Sequence, residues 1–206
     1  MTRLKYIVLI VLVIAIVTTV IVAVVLPSLA LPVAQPKISP SVTRLNITAV
    51  VLGFGDFADR VVEELSGRVD KVIVYSNFTP EILRYAGRST VVVLSSEWLE
   101  LNADREEVKE MIRAFADSGS MIYVNGTRAG VLQKMIYEMW YEEGKASGMS
   151  PEALQELRER MESIPKESRT GMGYMKVSEK HEVFVSGSLE DALKTLAEYR
   201  GSLLTK

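Results

Sequence analysis

From residue 46 onward, short apolar runs alternate with stretches in which apolar residues recur every three or four positions. Ile47–Leu52 is a continuous, β-branched run that stops at Gly53, which predicts a strand. Asp56–Leu65 carries Phe57, Val61, Val62 and Leu65 at helical spacing, with Gly67 as its stop. Val72–Tyr75 reads as a second strand. Thr79-Pro80-Glu81 then supplies a cap, a first-position proline and a first-turn acid, predicting a helix that Gly87 ends. Thr90–Leu94 is a third strand. Asp104–Asp117 places Val108, Met111, Ile112 and Phe115 on one helical face before Gly119, and Met121–Val124 is a fourth strand. The strand runs are apolar without alternation, the pattern of burial on both faces. Strand–helix–strand repeats with short connections predict right-handed crossovers and a parallel sheet covered on both sides.

The second half is more helical. Gly130–Glu143 has a broad apolar face of Val131, Leu132, Met135, Ile136, Met139 and Trp140, and Ser150-Pro151 opens another helix bearing Leu154, Leu157 and Met161. The stretch 127–170 therefore reads as a helical insertion or lid, with a polar loop over Pro165–Gly173. Tyr174–Val177 and Glu182–Val185 are either a hairpin or a single added strand. Ser188-Leu189-Glu190-Asp191 resembles a capping box opening a last helix to Tyr199.

The leading segment changes the picture. Ile7–Leu26 is twenty residues without a charge, Thr18 and Thr19 being its polar members. At about 1.5 Å per residue it is long enough for the roughly 30 Å hydrocarbon core of a bilayer. Residues 6–26 are thus expected to span a membrane and to make the lipid bilayer the first partner. Arg3 and Lys5 precede the run and no acid does, which places residues 1–5 in the cytoplasm and the rest outside. The competing readings are a cleaved signal peptide, for which Ser28-Leu29-Ala30 offers a small-residue site, and a buried core helix. A signal's apolar region is usually only about 7–15 residues. Pro27, Pro32, Pro36 and Pro40 make 27–44 an extended stalk, leaving 45–206 as the α/β domain. The expected fold class is α/β: a single N-terminal transmembrane helix, then a doubly wound, mainly parallel sheet domain with a helical insertion.

Three of the four asparagines begin Asn-x-Ser/Thr triplets, at Asn46, Asn77 and Asn125, and are glycosylation candidates if the domain lies outside. Composition removes several chemistries. No cysteine means no thiol nucleophile, disulfide framework or zinc ribbon, and the lone His181 allows no multi-histidine metal cage. A net charge of −2 gives no footprint for nucleic acid. No motif calls for a cofactor or a metal.

Ligands of open parallel sheets bind at the carboxyl ends of the strands. Those ends carry Gly53, Gly55 and Asp56, then Ser76, then Ser95 and Ser96, then Asn125, Gly126, Thr127 and Arg128. Gly53-x-Gly55-x-x-Ala58 follows a strand and opens a helix, as in dinucleotide-binding turns. Against this, Asp56 would repel a phosphate, and the second strand ends Tyr75-Ser76-Asn77 with no acid for a ribose. His181 sits among charges in a predicted turn and offers Thr127 or a serine no oriented base. The acids over 138–167 interleave with Lys and Arg as on a solvated face. The Met135–Tyr141 stripe suits a core or a partner-helix surface.

Val91-Val92-Val93-Leu94-Ser95, the helix after it, and Phe115-Ala116-Asp117-Ser118-Gly119-Ser120-Met121-Ile122-Tyr123-Val124-Asn125-Gly126 resemble the class I glutamine amidotransferase-like superfamily over roughly residues 46–130. That group includes membrane-tethered members without catalysis. Catalytic members hold a cysteine between glycines at the turn that follows; here the turn is Gly126-Thr127-Arg128-Ala129-Gly130, with Arg128 at the nucleophile's place. The resemblance therefore implies a non-catalytic member. Three functional expectations stand side by side: an anchored, non-catalytic binding or assembly module; a nucleotide- or anion-binding sensor or enzyme using Gly53, Gly55 and Arg128; and a subunit of a larger envelope complex docking through the 131–161 helices.

Overall fold

A computed structural model describes residues 44–165, 167, 170–178 and 181–204. The predicted spanning helix and most of the stalk lie outside the described residues. Among those described, no helix is long and apolar enough to cross a membrane.

The chain order is β1 (Leu45–Leu52), α1 (Asp56–Leu65), β2 (Val69–Tyr75), a 3-10 helix (Pro80–Tyr85), β3 (Thr90–Ser95), α2 (Ser96–Asn102), α3 (Glu106–Asp117), β4 (Met121–Asn125), α4 (Gly130–Ala146), α5 (Pro151–Ser163), β5 (Gly171–Ser178), β6 (His181–Gly187) and α6 (Leu189–Leu204). The fold is α/β, a six-stranded mixed sheet in the order β2-β1-β3-β4-β5-β6 with helices on both faces. The β1–β2, β1–β3 and β3–β4 pairs are parallel, and β4–β5 and β5–β6 are antiparallel.

Successive side chains of a strand point to opposite faces, and the inner strands bury both sets. Val50, Leu52, Val92, Leu94, Ile122 and Val124 meet the 3-10 helix, α2, α3 and α4. Ala49, Val51, Val91, Val93, Met121 and Tyr123 meet α1 and α6. β2, at one edge, exposes Asp70, Lys71 and Val74.

Five local features depart from the sequence pattern or refine it. The segment after Thr79 is 3-10 rather than α-helical, and Thr79 makes no side-chain cap. Only six residues separate Thr79 from Ala86, too few to offset the unfavourable nucleation of an α-helix. α2 carries no amphipathic repeat to reveal it. Its start is fixed by Ser95, whose Oγ accepts from the Trp98 amide at 3.2 Å. α4 is a layer of the core, with Leu132, Met135, Ile136 and Met139 buried, while α5 buries nothing fully and packs on α4. A Cβ on Gly144 would lie 2.9 Å from Met149 Sδ and 3.3 Å from Leu154 Cδ2, so the two helices close on a glycine. The hairpin forms over its full length. The capping box of α6 is present too: Ser188 N donates to Asp191 Oδ2 at 2.8 Å, and Asp191 N donates to Ser188 Oγ at 3.2 Å.

Trp98 is wholly buried, and its Nε1 donates to the Ser76 carbonyl at 3.1 Å, tying α2 to the end of β2. Trp98→Ala is expected to lower unfolding free energy by about 3–5 kcal/mol in a urea titration. A loss under about 1 kcal/mol, the range of surface changes, would contradict this packing.

Candidate functional site

The β1–α1 turn explains its own glycines. A Cβ on Gly53 would overlap the Phe57 ring and sit 3.2 Å from Ser95 Cβ, so the close approach here is made by the chain's own aromatic. Gly55 has φ +48°, a conformation open to glycine, with nothing near its missing side chain. Asp56 is exposed at the first position of α1, and Phe54 is exposed beside it. Ser76 is exposed beyond β2 and contributes its carbonyl to Trp98.

The exits of β3 and β4 do come together. Ser95 and Asn125 are register partners across the parallel ladder. Ser95 Oγ donates to Glu97 Oε2 at 2.7 Å. Gly126 has φ +124°, and a Cβ there would overlap Ser96 Oγ, which is buried without a well-formed hydrogen bond. Thr127 is exposed. Arg128 forms an ion pair with Glu100. The hydrogen bond from Ser95 holds the Glu97 carboxyl below its ordinary value, and the Arg128 charge adds to it. Glu100, then Glu167 and Glu97, raise the Arg128 pKa. One guanidinium among three carboxylates is a poor anion trap, because its field is already matched.

Arg128 also opens onto a cleft of about 530 Å³ between the end of α2, the first turns of α4 and Ile164, Pro165 and Glu167. Glu100, Asp104, Arg128, Lys134, Glu138 and Glu167 supply its charges, and Val131, Met135 and Ile164 supply apolar wall. One side is set by backbone contact, since a Cβ on Gly130 would overlap the Pro165 carbonyl oxygen. Of the ten ligand candidates read from the sequence, Arg128 alone lines this cleft. The others form the neighbouring strand ends or the β1 turn. Glu100 and Asp104 were missed because α2 and the turn after it carry no repeat. Lys134 and Glu138 were legible only as helical positions four apart on α4.

Several further candidates are placed apart. His181 starts β6, across from Ser178, whereas β5 meets the end of β4 at Met172. Six residues of strand, roughly 20 Å, thus separate His181 from the Thr127 end of the sheet. Its ring faces Tyr199 instead, with centroids 6.0 Å apart. Among the described residues, no group of three His, Cys, Asp or Glu side chains could hold a metal. The α4 aromatics divide between layers: Tyr137 and Trp140 are half-buried and cluster with Tyr174 and Phe184 of the hairpin. Asn46 and Asn77 are exposed, whereas Asn125 is half-buried within its ladder. No family model, curated protein or solved structure matches the chain.

The depressed Glu97 carboxyl has a stability consequence. A carboxyl whose folded pKa lies below its unfolded one contributes stability above the unfolded value, and loses it as pH falls through the folded value. Removing that group should therefore matter at neutral pH and cease to matter in acid. Glu97→Gln is expected to lower Tm at pH 7, and the difference from the parent should shrink as pH drops below 4.5. A difference that stays constant across that range would contradict the assigned hydrogen bond.

Proposed function

We propose that this chain is a single-pass membrane protein whose α/β domain lies outside the membrane and acts as a non-catalytic binding or assembly module, with the α2–α4 cleft as its contact surface. The cleft carries the reading. It has the volume of ordinary ligand sites, roughly 300–1,000 Å³, and combines apolar wall with convergent charged groups. Anchoring is supported by the uncharged twenty-residue run and by Arg3 and Lys5 before it. A relationship to non-catalytic members of the glutamine amidotransferase-like group, with a doubly wound sheet, is supported by the helix–Gly119–strand–Gly126 sequence, both glycines having positive φ.

The nucleotide-binding alternative loses support at the β1 turn, where the Phe57 ring fills the space beside Gly53 and Asp56 stands at the helix start. The assembly alternative keeps a specific feature, because α4 both lines the cleft and carries α5 on its outer side.

The anchored arrangement is tested on membranes. The full-length chain is expected to stay with the bilayer through carbonate washing. Protease added to intact cells is expected to digest the domain, and mass spectrometry to place any glycan on Asn46 or Asn77. Release by carbonate, or protection of the domain until lysis, would contradict the reading.

A further inference from the structure

The sheet has two outer strands, β2 and β6, and their free sides differ. β2 exposes Asp70 and Lys71, and Arg44 donates from Nε to the Val69 carbonyl at 3.1 Å and from Nη2 to the Asp70 carbonyl at 2.7 Å. Charged side chains and occupied backbone groups are how natural sheets keep a further strand from adding. β6 has neither device. His181–Gly187 contains no proline, lysine or arginine, its one charged side chain is Glu182, and no described strand pairs with its outer side. Val183, Phe184 and Val185 are only half-buried. Phe184 also belongs to the aromatic cluster, its ring centroid 5.1 Å from Tyr174, 6.0 Å from Trp140 and 6.4 Å from Tyr137. A bare apolar strand beside half-exposed aromatics has the composition of an interface centre.

We propose that β6 pairs with β6 of a second copy of this chain, antiparallel about a two-fold axis at Phe184, joining the two sheets into one. The occupant is a second copy because the strand is its own complement. With the axis at Phe184 all seven residues pair: Phe184 opposes its counterpart, Val183 opposes Val185, Glu182 opposes Ser186 and His181 opposes Gly187. No charge meets a like charge. Directly opposed Cβ atoms stand about 4.5–5.5 Å apart, so the two phenylalanine rings extend each copy's aromatic cluster across the axis. Pairing satisfies the amides and carbonyls of the bare edge. The protected β2 edges then end the joined sheet at two copies, so the contact closes on itself. This surface shares no residue with the α2–α4 cleft, and neither depends on the other.

The chain has no cysteine, so introduced thiols report the register without background. The test is oxidative cross-linking of the full-length chain in membranes, read as a covalent dimer on a non-reducing gel. Glu182→Cys combined with Ser186→Cys is expected to give that dimer, since the two positions oppose each other across the axis. Either substitution alone is expected to give none. Like positions are then offset by four residues, roughly 13 Å along the strand, whereas a disulfide needs Cα atoms within about 7 Å. Charge supplies a second readout. Ser186 is exposed, its Oγ 3.0 Å from Thr170 Oγ1. Ser186→Glu sets two acids opposite each other at two places in the dimer, and is expected to weaken association about tenfold in sedimentation of the detergent-solubilised chain. Ser186→Lys, which faces Glu182 instead, is expected to keep it, and both variants to keep the parent's thermal melt. A monomer in sedimentation, or association that Ser186→Glu leaves unchanged, overturns the proposal. So does equal cross-linking by a single-cysteine variant, or no cross-link from a two-cysteine variant that keeps the parent's melt.

Discussion

The constraint on which the rest depends is that the inner strands are apolar on both faces. Val91 to Leu94 and Met121 to Val124 show essentially no exposure on either side, and the second half of β1 behaves the same way. Backbone amides and carbonyls buried in this manner must be paired, which forces the strands into a ladder. Apolar side chains on both sides then require a layer of helix above and below. At about 25 cal/mol per Å² of apolar surface removed from water, no other single interaction in the domain is of comparable size. The caps, ion pairs and turns adjust this arrangement and do not create it.

The same constraint explains what could be read from the chain. β1, β3 and β4 were legible as continuous apolar runs and α1 and α3 by their helical periodicity, and a two-sided burial pattern cannot be satisfied by a loop. α2 was not, because seven residues span about two turns and leave no repeat to detect. The role of α4 stayed open between a core layer and a partner-helix surface for a different reason. Its apolar face looks the same whether it packs on its own sheet or on a partner, and only the strand order places β5 beside β4 with α4 across them. Tyr123 is a similar case. Its hydroxyl donates to the Gly187 carbonyl at 2.9 Å, and burial pushes its pKa up to about 12. Gly171 leaves the space for that ring. Nothing local to Tyr123 announces a partner 64 residues away.

The site was legible as an edge and not as a place. Parallel strands predict that chemistry gathers at their carboxyl ends, and the cleft does open beside the exit of β4. Within that edge, glycines attract notice because they resemble a phosphate-binding turn, yet their spacing here serves the Phe57 ring and the Gly55 backbone. The charged groups that shape the cleft are spread over α2, α4 and the segment before β5, more than 60 positions apart. Such a set emerges only once the sheet has ordered the helices. Arg128 bridges the two views, standing in the turn that the sequence singles out and on the rim of the cleft that the fold builds.

A photo-activatable residue at Lys134, on the cleft, compared with one at Glu63 on α1, tests the central claim most directly when both full-length proteins are irradiated in intact cells. The two positions lie on opposite faces of the sheet. The account predicts a discrete adduct from Lys134 and none from Glu63. Equal labelling from both positions, or no adduct from Lys134, would contradict it.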